Sequence, residues 1–73
     1  MRVLLQNINS GLFLKQMGDW TDDAVSAREF PNSLSAISFC NANNLRDVHV
    51  LLKFKQPRYD VSLPVLIKSN NPA

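Results

Sequence analysis

The hydrophobic period of the chain changes around Asn43-Asn44, and that change constrains the fold more than any other feature. Before it, Pro31 cannot sit inside a helix, while Asn32 and Ser33 carry side-chain oxygens able to accept the orphan N–H groups of a first turn. Leu34, Ala36, Ile37, Phe39 and Cys40 follow without Gly or Pro. Asn41, Asn43 and Asn44 are poor helix formers, and the last two suit the left-handed conformation that ends a helix. The reading is a helix over 32–43. From Val48 the period is two, with Val48, Val50, Leu52 and Phe54 on one strand face and His49, Leu51, Lys53 and Lys55 on the other. The first of these faces is expected to be core.

The remaining segments read as material packed around that helix and strand. Val3 to Gln6 and Leu12 to Gln16 flank Asn7-Ile8-Asn9-Ser10-Gly11, whose Asn, Ser and Gly suit a tight turn, and together they predict a β-hairpin. Gly18-Asp19 turns the chain before Trp20. Thr21-Asp22-Asp23 has the character of a cap with an acidic first turn, which predicts a single helical turn, and Arg28 to Phe30 is expected to form a very short third strand. After the long strand, Gln56-Pro57 breaks the pattern, and Tyr59, Val61 and Leu63 alternate with polar residues in a further strand that Pro64 ends or confines to a sheet edge. The predicted class is α+β, in the order β-β-(short β)-α-β-β, with the helix packed on one face of the sheet. One domain is expected over 1–68, followed by a disordered polar tail over 69–73.

A chain of 73 residues buries only about 60% of the surface it exposes unfolded, so it commonly recruits a disulfide, a metal or a second subunit. The single cysteine excludes an internal disulfide and a multi-cysteine zinc site, which leaves self-association as the common device. A net charge of +2, scattered from Arg2 to Lys68, is not a nucleic-acid composition. The apolar run at Val3 to Leu5 is too short for a signal sequence, and no stretch is long enough for a transmembrane span. With a free thiol and no export signal, the expected location is a reducing cytoplasm.

Few residues carry chemistry. His49 is the one histidine, on the strand face beside Lys53, and Cys40 falls late in the helix among apolar neighbours, where a reactive thiolate is not expected. Asp19, Asp22 and Asp23 are explained by turn formation and capping, and their spacing is not that of an EF-hand. No glycine loop cradles a phosphate, because Gly11 and Gly18 stand alone. No catalytic, cofactor-binding or metal-ligating set is therefore assigned, and the chain is not expected to be an enzyme.

Two binding surfaces suggest themselves. On the sheet face away from the helix, Leu4, Phe13 and Leu51 lie with His49 and Lys53, more apolar than a solvated face requires, and these five residues form the candidate interface of a homodimer. Alternatively, Lys15, Lys53, Lys55 and Arg58, interleaved with Phe13, Phe54 and Tyr59, form a candidate basic surface for weak nucleic-acid binding, although Phe54 is expected to point inward. The leading expectation is a non-enzymatic, self-associating protein-interaction module.

The residues Leu4-Leu5-Gln6, Ser10-Gly11-Leu12-Phe13-Leu14, Trp20-Thr21, Ala27, Phe30, Ala36 and Asp47-Val48 to Phe54 together resemble a family of small uncharacterised bacterial proteins. Members of that kind share a Gly-turn hairpin, a Trp, an Ala-x-x-Phe step, a short helix and a terminal hairpin. The resemblance implies the fold and carries no activity, so no site residue follows from it. Ser10 to Leu14 also resembles one hairpin of a fascin-type β-trefoil, but a trefoil needs three such repeats and this chain has one.

Overall fold

A computed structural model describes residues 1–65. Its elements are β1 (Arg2–Asn7), β2 (Phe13–Gln16), β3 (Asp19–Thr21), α1 (Ser33–Ala42), β4 (Val48–Lys53), a 3-10 turn (Pro57–Tyr59) and β5 (Val61–Pro64). The strands form one five-stranded antiparallel sheet in the order β3-β2-β1-β4-β5, and α1 bridges from the first half of the sheet to β4. The α+β class is the one expected. The domain boundary at 68 and the polar tail over 69–73 lie outside the described residues.

The helix begins and ends for local reasons. Asn32 is extended, and its Oδ1 accepts the Ser35 N–H at 2.8 Å, which caps the first turn. At the other end Asn44 takes the left-handed conformation (φ 52°), and the Leu45 N–H donates to the Cys40 carbonyl at 3.0 Å. That is a Schellman ending in which Leu45 turns back onto the core. Gly11 and Gly18, both with φ near +80° (76° and 81°), close the turns after β1 and β2.

Register divides the sheet into two faces. Arg2, Leu4 and Gln6 lie opposite Lys53, Leu51 and His49, while Val3, Leu5 and Asn7 lie opposite Leu52, Val50 and Val48. The Val3 face takes the helix. Leu5, Leu14 and Val50 are fully buried there with Val3, Val48 and Phe30 against Ala36 and Cys40. Each such aliphatic side chain contributes roughly 1.5–3 kcal/mol. Ala36 and Cys40 are one turn apart and small, so the helix backbone comes close to the sheet. Leu34 lies off that stripe and is 71% exposed.

Two expectations are corrected between the hairpin and the helix. The third strand is Asp19–Thr21, paired with β2, and Phe30 makes only an isolated bridge to Val3. β1 and β2 pair at Gln6 and Phe13, and toward the other end they part. There the 28–30 segment enters between them, with the Arg28 N–H donating to the Leu14 carbonyl (2.9 Å) and the Phe30 N–H to the Val3 carbonyl (2.8 Å). The expected helical turn at 21–27 is a pair of successive turns, closed by Ser26 N–H to Asp23 O and Ala27 N–H to Ala24 O. Thr21 and Asp23 do act as caps, since their side chains accept the Asp23 and Val25 N–H groups.

That pair of turns corrects the expectation of an uncovered second face. It lies over Leu4 and Leu51, which are buried together with Ala27, with Phe13 and Ala24 at the margin. The small side chains of Ala24 and Ala27 allow a turn to approach a sheet face closely. Arg2 holds it down: its guanidinium donates to the carbonyls of Ala24 (2.5 Å) and Ala27 (3.4 Å) and pairs with Glu29 at 2.8 Å. Among the described residues no helix is long and apolar enough to cross a membrane.

Candidate functional site

The chemistry of the second face follows from its register. His49 and Gln6 are ladder partners, and His49 Nε2 lies 2.7 Å from Gln6 Oε1. The Gln6 amide N–H group is committed to the Gly11 carbonyl at 3.0 Å, which leaves its oxygen facing the ring. His49 therefore meets an amide. Cys40 lies on the opposite side of the sheet, fully buried, and burial pushes its thiol pKa up. The sheet separates the one imidazole from the one thiol, and they form no nucleophile and base pair.

Asp23 and Asp60 are engaged as structural groups. Both oxygens of Asp23 are taken by its own turn, Oδ1 by the Val25 N–H and Oδ2 by the Ser26 hydroxyl. Asp60 accepts the Phe54 N–H at 2.9 Å and pairs with Lys53 at 3.2 Å. The backbone N–H of Phe54 is the main cause holding the Asp60 carboxyl below its usual range, partly opposed by desolvation and supported by Lys53. No group of three or more His, Cys, Asp and Glu side chains gathers among the described residues.

Asp60 also explains the position of Phe54, which was expected to face the core. The ladder ends at Lys53, and capture of the next N–H by a carboxylate turns the chain away from the sheet. Phe54 is consequently 38% exposed. Its ring joins a groove at the end of the sheet where β1 begins and β4 ends. The groove has a volume of about 310 Å³ and is lined by Met1, Arg2, Ala24, Val25, Lys53, Phe54 and Lys55. Val25, 82% exposed, stands on its turn side. The charged ends of Arg2 and Lys53 are held by Glu29 and Asp60, leaving their aliphatic stems for the groove wall.

The sequence-predicted sets map onto this geometry only in part. Of the five candidate interface residues, Leu4 and Leu51 are buried beneath the 22–27 turns, Phe13 is half-buried at their margin, His49 bonds Gln6 and Lys53 bonds Asp60. They lie on one face, but Leu4 and Leu51 are not available to a partner. Of the candidate basic surface, Lys15 and Lys55 are exposed, Lys53 is paired, and the Arg58 guanidinium sits 4.9 Å from the centre of the Tyr59 ring. The groove residues Met1, Val25 and Phe54 were not singled out as an exposed set. The available signal was Asp23-x-x-Ser26, a pattern in which the side chains close a turn, and of the two residues between them Val25 is left outside. No family model, no curated protein and no solved structure matches the chain, so the functional reading rests on these residues, and the resemblance seen in the sequence brings no residue roles to them.

Proposed function

We propose that this chain is a small, non-enzymatic, cytoplasmic interaction module that self-associates. The observation that supports it is the groove at the β1/β4 end, where Met1, Val25 and Phe54 remain exposed around a concave surface in a domain too small to waste apolar area. The free, buried Cys40 fits a reducing compartment. The engaged states of His49, Asp23 and Asp60 favour a structural role for each over catalysis. Sedimentation velocity across a concentration series tests the reading. A mass that rises with concentration is expected, and a strictly monomeric species at high micromolar concentration would sink it.

A second reading, weak binding of single-stranded nucleic acid, draws on the β4–β5 turn, where Lys55 and Arg58 are exposed beside the Phe54 and Tyr59 rings. Its mark is retardation of a short oligonucleotide at low salt that fades steeply as salt rises. Absence of any shift at low salt would remove it.

A further inference from the structure

The groove at the end of the sheet is lined by cations and apolar side chains, with no carboxylate among them. Two of its cations are already neutralised from outside the groove. Arg2 pairs with Glu29 at 2.8 Å and gives its other donors to the Ala24 and Ala27 carbonyls, and Lys53 pairs with Asp60 at 3.2 Å. Lys55 is exposed and pairs with no carboxylate among the described residues. One unbalanced positive charge thus stands beside walls formed by Met1, Ala24, Val25 and Phe54, which the stems of Arg2 and Lys53 complete.

From this we infer that the groove binds a small organic monoanion with an apolar body, its negative group at Lys55 and its body against Val25, Phe54 and the two stems. Volume and charge each limit the ligand. A groove of about 310 Å³ lies at the lower end of small-molecule sites, which span roughly 300–1,000 Å³. One unpaired lining cation suits one negative charge. A phosphate dianion would ask for a second, and Arg2 or Lys53 would have to leave Glu29 or Asp60 to supply it. A cationic ligand would meet no lining carboxylate, and a neutral one would leave Lys55 unused. Because Lys55 is exposed, its charge selects the ligand while the apolar walls supply most of the affinity. The inference is independent of the self-association proposed above, since the groove can be filled whether or not two copies meet over its rim.

The test titrates the full chain with decanoate, decanol and decyltrimethylammonium and follows the backbone amides by heteronuclear NMR. Decanoate is expected to move the amides of Arg2, Ala24, Val25 and Lys53 to Lys55 before any others. Decanol binds there about fivefold more weakly and decyltrimethylammonium at least about tenfold more weakly. Octanoate falls about fourfold below decanoate, because two half-covered methylenes are lost. Lys55→Gln abolishes the preference for decanoate over decanol, whereas Arg46→Gln, which removes an exposed cation outside the lining, keeps it. Val25→Asp puts a carboxylate into the lining at an exposed position and weakens decanoate about tenfold. Should Val25→Asp disturb the fold by circular dichroism, Val25→Ser replaces it with a loss of about threefold. Equal binding of decanoate and decanol, a Lys55→Gln chain that keeps the preference, or groove amides indifferent to millimolar decanoate would overturn the inference. So would groove shifts that arise only with phosphatidylglycerol vesicles, which would assign this face to a lipid surface. A monomeric chain that binds decanoate overturns self-association alone, and a dimer whose groove ignores decanoate overturns the ligand site alone.

Discussion

At the scale of single residues, backbone demands explain more of this structure than side-chain chemistry does. Asn44 occupies the left-handed position that ends the helix, a conformation costing most L-residues about 1–2 kcal/mol and glycine almost nothing. Asn44→Ala is therefore expected to lower stability by about 1 kcal/mol and Asn44→Gly not to lower it, as read by urea denaturation; equal losses would show that the Asn44 side chain matters and its φ does not. Asp60 gives a pH dependence. Its carboxyl is held below the usual range in the fold, chiefly by the Phe54 N–H, so the unfolded chain takes up its proton first as pH falls. The stability it contributes is present in full above the unfolded pKa and is lost as pH falls through the folded one. Asp60→Asn should flatten that acid limb while leaving Cys40 buried. An unchanged acid limb would mean that the Phe54 contact has no part in it.

The elements show which signals a linear chain displays. The helix over Ser33–Ala42 and the strand over Val48–Lys53 were legible because each carries its own cap or alternation, and Asn32 and Asn43 mark the helix boundaries without tertiary help. β3 was not legible, since Asp19-Trp20-Thr21 is too short for a period and is a strand only through its ladder to β2. The 22–27 turns were legible as turns but not as a cover, because nothing in Ala24 or Ala27 names the face they meet. That placement depends on Arg2, twenty-two residues away from Ala24 in sequence, whose planar fork reaches two carbonyls and Glu29 at once. Arg2→Met keeps the stem and removes the fork. It should cost about 1–2 kcal/mol for a half-exposed set of charged hydrogen bonds and speed amide exchange at Ser26 and Ala27 before it affects the helix. If those two amides keep their protection, the turns are held by Leu4 and Leu51 packing alone. The candidate interface drawn from sequence failed at this same element: alternation placed Leu4 and Leu51 correctly on one face, and a non-periodic segment then buried them.

At the scale of the molecule, the helix and strands β1, β2 and β4 share one core on one side of the sheet, so there is little room for part of it to open alone. Leu5, Leu14, Val50 and Cys40 are all fully buried, and the cluster joins α1 to β1, β2 and β4. Cys40 can report on that cooperativity, because its thiol is inaccessible in the fold and burial raises its pKa, both of which suppress reaction with a disulfide reagent. Labelling must then wait for the helix to leave the sheet. A domain of 73 residues has a total stability of about 4–11 kcal/mol, of which Leu5→Ala removes about 2–5. If leaving the sheet is global unfolding, Leu5→Ala accelerates Cys40 labelling by at least about 30-fold, in step with its loss of stability in urea. If instead labelling is fast in the wild type and indifferent to Leu5→Ala, the helix opens as a unit of its own, and the sheet with its end groove persists without it.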